Sequence, residues 1–151
     1  MENNIIGSNI VTQVAILVND IEKSIKEFAA MLGMEAPGYI VTGTREEAET
    51  EFKGQPSEAR AKLAFFNVGE TLTIELIEPD EHPSVWRDDL NKNGEGIHHL
   101  AFNIKGMKET IARMERNGFP LLQKGEYPGG RYAYMDTNST LKTLVELLEN
   151  D

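Results

Sequence analysis

VTQVAILVNDIEKSIKEFAAMLGM, Val11 to Met34, decides the fold, because IHHLAFNIKGMKETIARMERNGF, Ile97 to Phe119, says nearly the same thing again. Val11 to Val18 reads as a strand. Asp20 then suits a helix N-cap, since its side chain can accept from the first free amides. Ile21, Ile25, Phe28 and Leu32 recur at helical spacing, and Gly33 is a natural stop, so the pattern predicts strand then helix over residues 10–33. In the second segment Ile97 to Ile104 is the strand, Met107, Ile111 and Met114 form the inner stripe, and Gly118 ends the helix. Laid over one another, Gln13 falls on His99, Ala15 on Ala101, Val18 on Ile104 and Ile25 on Ile111.

Each helix is followed by further extended stretches. They are KLAFFNV (62–68) and TLTIELIE (71–78) in the first half, and GRYAYMDT (130–137) and KTLVELLE (142–149) in the second. Glu75 aligns with Glu146. An internal repeat takes precedence over other fold arguments. It predicts an α+β fold of two tandem βαβββ units, one over about 10–79 and one over about 96–149, within a single domain spanning 1–151. Outside the repeat, polar residues 43–61 are expected to form a mobile loop or edge strand. Residues 80–95 are expected to form a short helix bridging the halves, and Lys124 to Tyr134 a glycine-rich loop able to close over a ligand.

The 151 residues carry a formal net charge of -10. That argues against nucleic acid and anionic membrane surfaces as partners, both of which want a basic patch. There is no cysteine, hence no disulfide and no thiolate chemistry. The first residues lack a basic, apolar leader pattern, and no stretch approaches the ~20 apolar residues of a membrane helix, so a cytoplasmic location is expected.

Strand alternation sorts the side chains by face. Gln13 sides with Ala15 and Leu17, Glu75 with Thr73 and Ile77, Glu146 with Leu144 and Leu148, and His99 with Ala101 and Asn103. His98 falls on the opposite face with Leu100 and Phe102, where packing is its expected role. Each of four strands thus offers one ligand-type side chain in its interior: Gln13, Glu75, His99 and Glu146. An ionised carboxylate inside an apolar strand is costly unless paired. The ordinary partner is a cation, and Arg60, Lys62 or Arg131 would serve. The alternative is a divalent metal at the meeting of the halves, whose charge two carboxylates with neutral Gln and His would balance. One nitrogen and several oxygens suit Zn, Co, Ni, Mn or Mg.

QVAILVNDIEKSIKEFAAMLGM, GEGIHHLAFNI and LVELLE resemble the vicinal oxygen chelate superfamily, which includes glyoxalase I, methylmalonyl-CoA epimerase, extradiol dioxygenases and bleomycin-resistance proteins. The resemblance implies a curved mixed sheet around a metal-binding cleft. Carried over by position, it places the four metal ligands at Gln13, Glu75, His99 and Glu146. The set Gln-Glu-His-Glu is similar to eukaryotic glyoxalase I, whereas GEGIHHLAF and TLVELLE are closer to methylmalonyl-CoA epimerase. Dioxygenases need two His and one carboxylate, and Gln13 counts against them.

What the resemblance implies is a metal-dependent epimerase or isomerase that moves a proton beside a carbonyl, with Glu146 as catalytic base. Glyoxalase I (lactoylglutathione lyase) is the alternative, and a non-catalytic binder of the bleomycin-resistance type is a third reading. The implied substrate is a small molecule of the acyl-CoA kind, and the implied assembly is a homodimer. Tyr127, Arg131 and Tyr132 are the expected substrate-binding residues. The epimerase type is pictured with two acidic bases, and RAKLAFFNV (60–68) supplies Arg60 and Lys62 but no second carboxylate.

Overall fold

Asp20 starts the first helix as expected. It sits in extended backbone at φ −135° after β1 (Val11–Leu17), accepts from the Lys23 amide at 3.1 Å, and opens α1 (Ile21–Leu32). Gly33 closes α1 with the left-handed φ of 64° that a residue without Cβ adopts freely. The computed structural model describes residues 2–151. The chain continues through β2 (Ile40–Val41), α2 (Arg45–Ala48), β3 (Glu51–Phe52), β4 (Gln55–Pro56), β5 (Ala61–Asn67) and β6 (Thr73–Pro79). After α3 (Val85–Asn93) come β7 (Gly96–Asn103), α4 (Met107–Arg116), β8 (Leu121–Tyr127), β9 (Gly130–Met135), α5 (Asn138–Leu141) and β10 (Leu144–Asn150).

All ten strands join one strongly curled mixed sheet in the order β2-β5-β6-β1-β7-β10-β9-β8-β3-β4, which is the α+β architecture the repeat predicts and the curved mixed sheet the resemblance implies. At its centre β1 and β7 run antiparallel. Outward from that pair the two sides correspond: β6 lies parallel to β1 and β10 parallel to β7, then β5 and β9 follow antiparallel. The sheet edges are two-residue strands, one containing Pro56, which offer little to a foreign strand.

Three apolar clusters hold the sheet. α1 buries Ile21, Ile25 and Ala29 against Ala64, Phe66 and Leu76. α4 buries Met107 and Met114 against Val145 and Leu147. The third cluster lies on the inner face, where Trp86, Val85 and Leu90 of α3 pack on Ala15, Leu17, Ile77 and Leu144. α3 bridges the halves: Arg87 donates to the Pro79 and Asp80 carbonyls, while the Val85 amide donates to Gln123 Oε1 at 2.8 Å. The glycine at the start of α4 offers no side-chain cap; Glu149 of β10 supplies it, accepting from the Gly106 and Met107 amides at 2.6 and 3.1 Å.

Two stretches differ from expectation. Residues 43–61 do provide an edge strand, β4, and its inner neighbour β3, but also α2, nucleated by a capping box between Thr44 and Glu47. Residues 124–134 are a regular β8–β9 hairpin rather than a loop, with only its turn at Pro128–Gly129 irregular.

Candidate metal centre

The pairing of β1 with β7 slips by one residue in two places. Val11 faces Phe102 while Gln13 faces Ala101, which leaves Thr12 as an extra residue. Ala15 faces His99 while Ile16 faces Ile97, which leaves His98 as another. Each bulge sits immediately before one of the repeat-related pair Gln13 and His99. Bulges re-aim side chains beside sites, and this one corrects the expectation for His98. His98 does not point to the helix side with Leu100; its ring lies 5.1 Å from that of His99, centroid to centroid, and 5.7 Å from that of Tyr134.

The remaining strands bring acids to the same place. Donor atoms of Glu75, His99 and Glu146, all three residues buried, lie within 4.8 Å of one another. His99 Nε2 is 3.1 Å from Glu146 Oε1 and 3.6 Å from Glu75 Oε1, yet neither oxygen lies where it would make a hydrogen bond. Among the described residues, the buried side-chain polar atoms left without a hydrogen-bond partner are Gln13 Oε1, Glu75 Oε1 and His99 Nε2. Such atoms are rare in folded proteins and call for an explanation.

The cations named as ordinary partners for the acids are occupied elsewhere. Lys62 pairs with Glu78 at 3.5 Å, Arg60 donates to the Thr42 carbonyl at 2.8 Å, and Arg131 binds Glu149 at 3.0 Å. Burial, reinforced by the neighbouring Glu146, pushes the Glu75 carboxyl well above its ordinary range.

A divalent cation fits this donor set. It would cancel two carboxylates, use an amide oxygen and an imidazole nitrogen, and satisfy all three stranded atoms. The donor atoms of Glu75, His99 and Glu146 span little more than ligands about 2.0–2.2 Å from one shared ion would, and the stranded Gln13 Oε1 belongs to the same cleft lining. Gln13, Glu75, His99 and Glu146 are therefore the residues that could hold it.

These four side chains lie at or beside the foot of a cleft of about 1200 Å³, which Gln13, Glu75 and Glu146 line directly. Trp86 and Tyr134 wall it; the Trp86 indole N–H donates to the Tyr134 hydroxyl at 3.0 Å with the rings edge to face. Tyr127 and Tyr132 also line it. Burial pushes the Tyr127 phenol up to about 12 and that of Tyr132 higher still, so both stay protonated. Arg131 does not join them. It alternates to the other face of β9, outside the cleft, and is tied to Glu149, Asp151 and Glu126. Tyr134, Trp86 and Asn103 on the cleft wall, and the carboxylates Glu47 and Glu126 at its rim, were not among the residues expected to contact a substrate. Alternation from Tyr132 to Tyr134 is the signal that finds the first of them.

Known proteins share this architecture. The chain is 30% identical over 95 residues to the uncharacterized protein YqjC of Bacillus subtilis (strain 168), covering 61% of this chain and 67% of that one. The crystal structure of hypothetical protein BH1468 from Bacillus halodurans C-125 superposes with a TM-score of 0.67 at 25% identity, covering 95% and 96% of the two chains. A variant of the Streptomyces coelicolor methylmalonyl-CoA epimerase, in complex with 2-nitronate-propionyl-CoA, gives 0.64 at 20% identity over 94% of both, a likeness of fold. The family model of the glyoxalase/bleomycin resistance protein/dioxygenase superfamily matches residues 12–134, and the chain belongs to that superfamily.

Proposed function

We propose that this protein is a metal-dependent isomerase or epimerase that moves a proton on the carbon beside a carbonyl, of the methylmalonyl-CoA epimerase type. The observation that carries the reading is the set of stranded buried atoms on Gln13, Glu75 and His99 at the foot of an open cleft. A divalent ion held by these residues and Glu146 would supply Lewis-acid polarisation of a carbonyl oxygen. Glu146 is the base that takes the proton from carbon. The deep apolar surroundings of both carboxylates strengthen every charge interaction around the reacting atoms. Ile10, Ile40 and Val41 form an exposed apolar rim on the cleft, a surface suited to the carbon chain of an acyl substrate. Tyr127 and Tyr132 offer phenol groups to its polar part.

A second reading, glyoxalase I, has a specific observation in its favour. The β5 side chains that line the cleft are Leu63 and Phe65, so that strand offers no carboxylate opposite Glu146. Epimerisation returns the proton to the opposite face of the same carbon and wants a second acid; the rim residues Glu47 and Glu126 are the other carboxylates available. Glu47 is held in the Thr44 capping box and Glu126 lies 3.7 Å from Arg131. Return by Glu146 itself to the neighbouring carbon would be an isomerisation of the glyoxalase kind.

The test is metal analysis of the purified protein followed by two assays: deuterium uptake into methylmalonyl-CoA in D₂O, and lactoylglutathione formation from methylglyoxal and glutathione. Stoichiometric metal with deuterium uptake supports the epimerase, and metal with lactoylglutathione supports the alternative. A metal-free protein that still binds a small ligand would replace both with a non-catalytic binder.

A further inference from the structure

The bulge that turns His98 inward also completes a chain of three side chains ending at the candidate metal. His98 Nε2 lies 2.8 Å from Asp89 Oδ2 of α3, and His98 Nδ1 lies 2.9 Å from His99 Nδ1. Both imidazoles are buried, His99 completely. The directions of these two hydrogen bonds follow from elementary donor counting. An ionised carboxylate can only accept, so the proton on the His98 ring must sit on Nε2. A neutral His98 then has a bare Nδ1, which can only accept in turn. The proton between the two rings must therefore come from His99 Nδ1. That leaves the lone pair of His99 on Nε2, the atom that faces Glu75 and Glu146 without a hydrogen-bond partner.

We propose that Asp89, acting through His98, fixes the tautomer of His99 and so aims its Nε2 lone pair at the metal position. Asp89 and His98 are positioning residues: neither lines the cleft, and His98 acts only through the ring that follows it in sequence. The inference rests on the reading of His99 as a metal ligand. Ligating histidines usually donate their second N–H straight to a carboxylate or carbonyl; here another imidazole stands between. The arrangement explains two features together. It gives the doubled histidine a use for both members, and it gives the bulge a reason, since without the extra residue His98 would face away. Tyr134 packs against both rings, 4.9 Å from that of His99 and 5.7 Å from that of His98, and limits their rotation.

The inference is tested on the full chain by ¹⁵N NMR of the imidazole nitrogens in metal-free protein, with Zn²⁺ and Co²⁺ affinities measured by chelator competition. In the wild type, His99 is expected to carry its proton on Nδ1 and His98 on Nε2. Asp89→Asn, whose amide can present a donor instead of an acceptor, should scramble both tautomers. It should also weaken metal binding by roughly 10- to 100-fold, and Asp89→Glu should restore part of each. A wild-type spectrum with the His99 proton on Nε2 overturns the proposal, even if no variant folds. So does a D89N protein with unchanged tautomers and unchanged affinity. If the wild type shows the expected tautomers and D89N scrambles them, yet neither binds a divalent ion, the tautomer chain stands and the metal reading fails.

Discussion

Glu75 and Glu146 meet at the buried ring of His99, and among the described residues no lysine or arginine reaches either carboxylate. The arrangement opposes folding until something neutralises it. A carboxyl group with a raised folded-state pKa costs nothing below its unfolded value, 4.5 for Glu75, and costs progressively more as pH rises above it. Glu75→Gln should therefore stabilise the metal-free protein at pH 7. That gain should fade towards pH 4, and the variant should lose metal affinity. Denaturant melts of the metal-free protein at the two pH values check the sign; a destabilised variant at pH 7 would count against it.

His99→Ala removes the imidazole from the donor set. Metal affinity should fall by at least about 100-fold, more than changing a supporting residue would cause. Glu146→Gln should reduce proton exchange by about 10²- to 10⁴-fold, the usual worth of a positioned base. Metal content and exchange rate measured on the same preparations separate ligand from base: a variant that keeps its ion but loses exchange marks the base.

Gly125 lies on β8 beneath the Tyr132 ring, and a Cβ there would come within 2.7 Å of the ring's outer carbon and hydroxyl. Gly125→Ala should push Tyr132 from its place on the cleft wall and break its hydroxyl's 3.1 Å bond from Gln123 Nε2. A loss of about 1–3 kcal/mol in stability is expected, in the range of other overpacked sites. Ligand affinity should fall while metal affinity holds, which titration of each in turn would read.

Glu149 caps α4, and its carboxyl is held below the ordinary range by the Gly106 and Met107 amides, with Arg131 adding to the effect. A depressed carboxyl stabilises the fold above its unfolded pKa, and that contribution is lost as pH falls through the folded value. Glu149→Gln should lower Tm at pH 7 and lower it by less near pH 3. An equal drop at both values would mean that shape rather than charge matters.

Much of this architecture was legible because two periodicities, 2 for strands and 3.6 for helices, recur in register in both halves. Gln13, Glu75, His99 and Glu146 were singled out on that basis, and the fold brings the last three within a few ångströms. His98 was misassigned because strand alternation assumes an unbroken ladder; a single inserted residue reverses the face. Gly96, at φ 150° near the start of β7, was the available hint. Asp89 was invisible, since only the docking of α3 onto the sheet brings it to His98. Arg131 was drawn into the substrate set by reading a hairpin as a loop. GRYAYM was already read as an extended stretch, and applying strand alternation to it would have separated Arg131 from Tyr132 and Tyr134. The Thr44/Glu47 capping box that starts α2 was passed over, because a four-residue helix leaves no periodicity to find.

The central β1–β7 pairing joins residues about eighty to ninety positions apart. During synthesis the first half must wait for residues 96–103 with one flank of β1 unpaired, an exposed edge rich in Val, Ile and Leu. Contacts of such separation close slowly. The nascent chain is therefore most vulnerable to aggregation late in its production, and fragments ending before β7 should accumulate as insoluble material or chaperone clients.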